Sequence, residues 1–109
     1  MRLVVIESPL AGDVARNLRY LRDAILDCLK RGEAPYASHG FFPQALDDLV
    51  PEERALGIQA GCAWGDQADA TVVYEDLGIS SGMKYGIERA AQSGRPIEYR
   101  TLEKWRNKT

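Results

Sequence analysis

The chain has 109 residues, enough for one domain around one modest core, and its 45% apolar and 28% charged residues exclude a disordered polymer. A formal net charge of −2 lacks the basic excess that a nucleic-acid groove needs, which excludes nucleic-acid polymers as partners but leaves single nucleotides open. Cys28 and Cys62 have no partnering motif and read as reduced core thiols, and His39 is the only histidine, so neither a zinc site nor any other metal is expected.

The opening "MRLVVIESP" turns polar too soon for a signal peptide, and no apolar run approaches the ~20 residues of a membrane span. A cytoplasmic protein with no membrane partner is expected. Arg2 to Glu7 is a continuous β-branched run, the pattern of a strand covered on both faces. Pro9 and Gly12 break it, and Asp13 is placed to cap a helix. Val14, Leu18, Leu21, Ile25 and Cys28 then form an apolar stripe opposite Arg16, Arg19, Arg22, Asp23 and Lys30, with Gly32 as the stop. Ala34 to Ser38 predicts a second strand. "HGFFPQALDDLV" is punctuated by aromatics and proline, with a helical turn expected around Leu46 and Leu49. Pro51, Glu52 and Glu53 suit the first turn of a helix running to about Trp64. Ala70 to Glu75 predicts a third strand, Ser81 to Ser93 a helix, and Arg95 to Arg100 a last strand. Leu102 and Trp105 are anchors in a polar tail.

Alternating strands and helices with short connections predict a parallel sheet flanked by helices, in which ligands sit beyond the C-terminal strand ends. Two segments must line that edge. In "ESPLAGD", Ser8, Gly12 and a helix start offer donors to an anion, although Asp13 competes for the same N–H groups. In "EDLGISSGMK", Ser80, Ser81 and Gly82 open another helix with Lys84 just inside, and Glu75 and Asp76 end the strand. There a carboxylate has two uses: accepting hydrogen bonds from sugar hydroxyls, or acid–base work. The plain alternatives are a cap and solvated acids. His39 with Phe41 and Phe42 is a third candidate, where a flat base stacks on a ring. The alternative is that the rings are core and His39 is a surface residue. Trp64 and Trp105 read as core or interface anchors.

Together, "SPLAGDVARNLRYLRDA", "SHGFFPQALDD", "PEERALGIQAG" and "EDLGISSGMKYGIERAAQSGRPIEYR" resemble small proteins of the nucleoside 2-deoxyribosyltransferase-like superfamily, notably its short bacterial and phage members. The resemblance spans nearly the whole chain as a single domain, residues 1–109. It implies a flavodoxin-like or Rossmann-like three-layer α/β domain with a parallel four- to five-stranded sheet, assembled as a homo-oligomer of two or more copies. It also implies cleavage or exchange of the N-glycosidic bond of deoxynucleosides or their monophosphates, with no cofactor. A glutamate attacks the anomeric carbon and an aspartate assists, the logic of a retaining glycosidase.

Carried over, Asp76 matches the assisting aspartate, with Glu75 as the alternative. Ser80, Ser81 and Gly82 match the turn that cradles a 5′-phosphate, and Ser8, Pro9 and Gly12 match the loop around the sugar. Many relatives carry a tyrosine in the first strand, where this chain reads Val5-Ile6-Glu7. Relatives place the glutamate four residues after the turn glycine and ten before the next strand's proline. Counting from Gly82 and from Pro96, both lead to Gly86. Glu88 is two residues on, about 200° around the helix, and is expected to face outward.

An enzyme must therefore draw its carboxylate from Asp76, Glu75 or Glu7, or use the space at Gly86 for a side chain of a neighbouring subunit. The alternatives are a nucleotide-binding module without the nucleophile, and an oligomeric accessory protein that uses Trp64 or Trp105 at an interface.

Overall fold

In a computed structural model describing residues 1–106, β1 (Arg2–Glu7), α1 (Val14–Lys30), β2 (Glu33–Tyr36) and the one-turn α2 (Ser38–Phe41) come first. They are followed by α3 (Pro51–Gly65), β3 (Ala70–Tyr74), α4 (Ser81–Gln92) and β4 (Ile97–Arg100). The strands form one parallel sheet in the order β2-β1-β3-β4. The chain leaves β1 toward β2, then returns past β1 to β3 and β4. That reversal opens a crevice between the C-terminal ends of β1 and β3, where open α/β sheets take their ligands. Sheet and helices make the three layers of a flavodoxin-like or Rossmann-like fold, with four strands.

Alternation along the strands assigns the two faces. Val4, Ile6, Ala70, Val72 and Tyr74 pack with Tyr20, Leu21, Ala24 and Cys28 of α1. On the opposite face α4 lies over Glu7 at Gly86, and Gly65 of α3 lies against Val5. β3, central and fully buried along its length, explains the unbroken apolar run of its sequence.

Asp13 caps α1 by accepting from the Arg16 N–H at 3.1 Å, and Gly32 leaves the helix at φ 81°. The buried face of α1 differs from the expected stripe. It is Asn17, Tyr20, Leu21, Ala24 and Cys28, while Val14 and Leu18 are exposed. The face is turned because Asn17 and Tyr20 hydrogen-bond inside the molecule, which removes the cost of burying them.

The helical turn expected around Leu46 and Leu49 falls earlier, as α2 and a 3₁₀ turn over Phe42–Gln44, and Leu49 is exposed. Both cysteines are free thiols, but only Cys28 is buried; Cys62 is half-buried beside an open groove between α3 and α4. Leu102 is buried, and Trp105 packs edge-on to Tyr20 with its indole N–H on Asp23 at 2.7 Å. Trp64 is exposed. Residues 107–109 of the polar tail lie outside the described residues.

Candidate functional site at the β1–β3 crevice

The loop after β1 is held from below by Asn17, whose side-chain amide donates to the Leu10 and Ala11 carbonyls at 2.9 and 3.0 Å. Gly12 takes φ 96°, a left-handed conformation that lets the chain turn into α1. Ser8 and Pro9 are buried. Because β2 neighbours β1, the residue three places beyond β2 reaches this loop, and His39 Nε2 lies 2.7 Å from Ser8 Oγ. Burial lowers the His39 pKa to about 4, so the imidazole is neutral at physiological pH. α2 holds it by close approach: a Cβ on Gly40 would stand 2.6 Å from Leu21 Cδ2, and one on Gly61 of α3 would stand 3.1 Å from Ser38. His39 is thus half-buried and held against Ser8 rather than free on the surface. Neither phenylalanine is core: Phe41 is exposed and Phe42 half-buried against Tyr36.

On the other side of the crevice, Asp76 Oδ2 accepts from the Tyr20 hydroxyl at 2.7 Å and from the Leu102 N–H at 2.9 Å, and the Asp76 N–H donates to Tyr20 Oη. Burial, reinforced by the bond to Asp76, raises the Tyr20 pKa and keeps the phenol protonated. Glu75 is exposed. Gly78 turns the chain at φ 88° toward α4. Ser80 is the N-cap of α4, its hydroxyl accepting from the Met83 N–H at 3.3 Å, which leaves Ser81 and Gly82 exposed at the helix start. Glu88 points outward, while Met83 and Ala90 face the sheet.

Gly86 is not an empty place awaiting a neighbouring subunit. A Cβ built on it would overlap all three atoms of the Glu7 carboxyl group. Glu7 comes from the end of β1, points to the α4 side, and receives no hydrogen bond from the described residues. Burial raises its pKa to about 8; the field of Arg95 pulls the other way and is outweighed. Arg95 is itself spent on Thr71 Oγ1 at 3.0 Å and the Gly65 carbonyl at 2.8 Å.

Of the residues singled out from sequence, Ser8 and His39 are brought together, and Asp76 and the Ser80–Gly82 turn stand at the same sheet edge. Asn17, Tyr20 and Arg95 were missed. A polar residue and a tyrosine in the buried register of α1 were the signal for the first two. Among the described residues, no group of three or more His, Cys, Asp or Glu side chains is placed to hold a metal ion, and no helix is long and apolar enough to cross a membrane.

Residues 2–100 match the family described as "Domain of unknown function (DUF7768)". The chain belongs to that family. No curated protein sequence matches this DUF7768 chain. Among solved structures it is similar to the 2-deoxyribosyltransferase of the psychrotolerant bacterium Bacillus psychrosaccharolyticus, with a TM-score of 0.71 at 13% identity over 91% of this chain and 72% of that one. At that identity the likeness concerns the fold.

Proposed function

We propose that this DUF7768 protein binds a deoxynucleoside or its monophosphate at the β1–β3 crevice and breaks its N-glycosidic bond. The observation that carries the reading is the pairing of two polar loops across a switch point, on a fold shared with a 2-deoxyribosyltransferase. Ser8, Pro9, Gly12 and His39 enclose the sugar from the β1 side. The exposed N–H groups at the start of α4, with Ser80, Ser81 and Gly82, receive a 5′-phosphate. Asp76, its orientation set by Tyr20 and Leu102, offers its other oxygen to the sugar, with Glu75 as the outer alternative. In the reaction the bond from the anomeric carbon to the base breaks and positive charge develops on the sugar, where nearby carboxylates stabilise it.

Purified protein incubated with each deoxynucleoside and its monophosphate should release free base, followed by chromatography, and each ligand that turns over should raise the melting temperature. Asp76→Asn should reduce base release. No response to any nucleoside or nucleotide sinks the reading. A second reading, a binding module without turnover, is favoured by the absence of a side chain at Gly86, and stabilisation without base release would select it.

A further inference from the structure

The described residues hold several features outside the site just proposed: an apolar groove between α3 and α4, a basic groove around Arg19 and Lys104, and a buried polar cluster around Arg100. One feature inside the crevice goes further than these. A carboxyl group is tucked into a helix at a residue that has no side chain, without a hydrogen-bonding partner to explain it.

Resting on the proposed N-glycosidic reading, we infer that Glu7 is the catalytic acid of this site, reaching from β1 into the space left by Gly86 and protonating the base as it leaves. Three observations carry this. Glu7 is the last residue of β1, pairs with Val73, and so stands at the lip of the crevice. Its carboxyl group fills the position of a Gly86 Cβ, so no other residue at 86 admits this arrangement. The half-buried carboxyl group receives no hydrogen bond from the described residues, so it makes no structural link there, whereas a poised acid needs a partly desolvated seat that a ligand can still reach.

The groups that face it are few. Gly86 of α4 and Val73 of β3 carry no charge, α1 lies on the other side of the sheet, and Arg95 is the one charge that acts on it. The group therefore holds its proton at neutral pH. In the step, the Glu7 proton passes to a nitrogen of the base and the C1′–N bond breaks, its electron pair leaving with the base. Water adds its oxygen to the anomeric carbon and loses a proton to solvent, and solvent reprotonates Glu7. The products are free base and free sugar or sugar phosphate.

The test uses the full chain and deoxynucleoside monophosphates, with base release and ligand-induced thermal shift read side by side. Glu7→Gln should lose at least about a hundred-fold in rate and keep the thermal shift. The wild-type rate should fall as pH rises through about 8. Gly86→Ala, which keeps the acid but drives it from its seat, should lose at least about ten-fold, and Glu7→Ala combined with Gly86→Glu should recover about ten-fold over Glu7→Ala alone by supplying the carboxyl group from α4. Base release that survives Glu7→Gln overturns this inference and leaves the N-glycosidic reading standing. Absence of base release by the wild type overturns both.

Discussion

Burial leaves Glu7 and His39 uncharged at neutral pH through opposite shifts, and the two respond oppositely to pH. Glu7 titrates near 8 in the folded protein against 4.5 when unfolded, so the folded state holds a proton that the unfolded chain gives up. Its contribution to stability is complete below pH 4.5 and is lost as pH rises through 8. Glu7→Gln should therefore raise the melting temperature at pH 9 by at least about 4 °C, close to 1 kcal/mol, and flatten the alkaline slope in a thermal-melt series. His39 titrates near 4 folded against 6.5 unfolded. Its contribution is complete above pH 6.5 and is lost as pH falls through 4, so His39→Gln should flatten the acid limb. Ser8→Ala removes the hydroxyl facing the imidazole and should cost about 0.5–1.5 kcal/mol in urea unfolding.

At the scale of elements, the sheet is tied across its α1 face by Arg100, the last residue of β4, whose guanidinium donates to both oxygens of Glu33, the first residue of β2, at 2.7 and 2.8 Å, and to the Tyr74 hydroxyl at 3.2 Å. This ties the two edge strands across β1 and β3. The Glu33 carboxyl sits below its ordinary pKa because Arg100 bonds it, so the pair stabilises the fold above the ordinary carboxylate range and is lost as pH falls through the lowered value. Arg100→Ala leaves the buried Glu33 carboxylate with only a 3.4 Å contact to Arg2 and should cost about 3 kcal/mol by urea denaturation. Sequence pattern revealed β1, β3, α3 and α4 nearly to the residue, because β-branched runs and helix punctuation are local signals. It missed the rotation of α1, because Asn17 and Tyr20 are buried by hydrogen bonds to loops distant in sequence. It missed the Arg100–Glu33 pair for the same reason, since 67 residues separate the partners.

For the whole molecule, the order of elements and the two loops at the ligand edge were readable from sequence alone, since alternation of strand and helix dictates both. What the loops contain was not. Asp76 was visible as a strand-end acid, but its bonds to Tyr20 and Leu102 depend on the packed fold. The molecule also leaves Ile58 of α3 and Tyr85 of α4 exposed along the groove between these helices, beside Ala55, Cys62 and Ala63, an apolar strip on one face. Self-association through this face is expected. Light scattering should report a mass above that of one chain, and Ile58→Asp should reduce it to the monomer without changing the far-ultraviolet circular dichroism.

The overlap between Glu7 and residue 86 makes the two positions a single choice. A chain carrying a side chain at 86 cannot keep Glu7 where it lies here, and a chain that loses Glu7 while keeping Gly86 has no carboxyl group in that space. Single substitutions at either position pass through a crowded or an empty intermediate, so the pair should change together or not at all. Among related chains, a glycine at this helix position therefore signals where to look for the acid: seventy-nine residues earlier, at the end of the first strand.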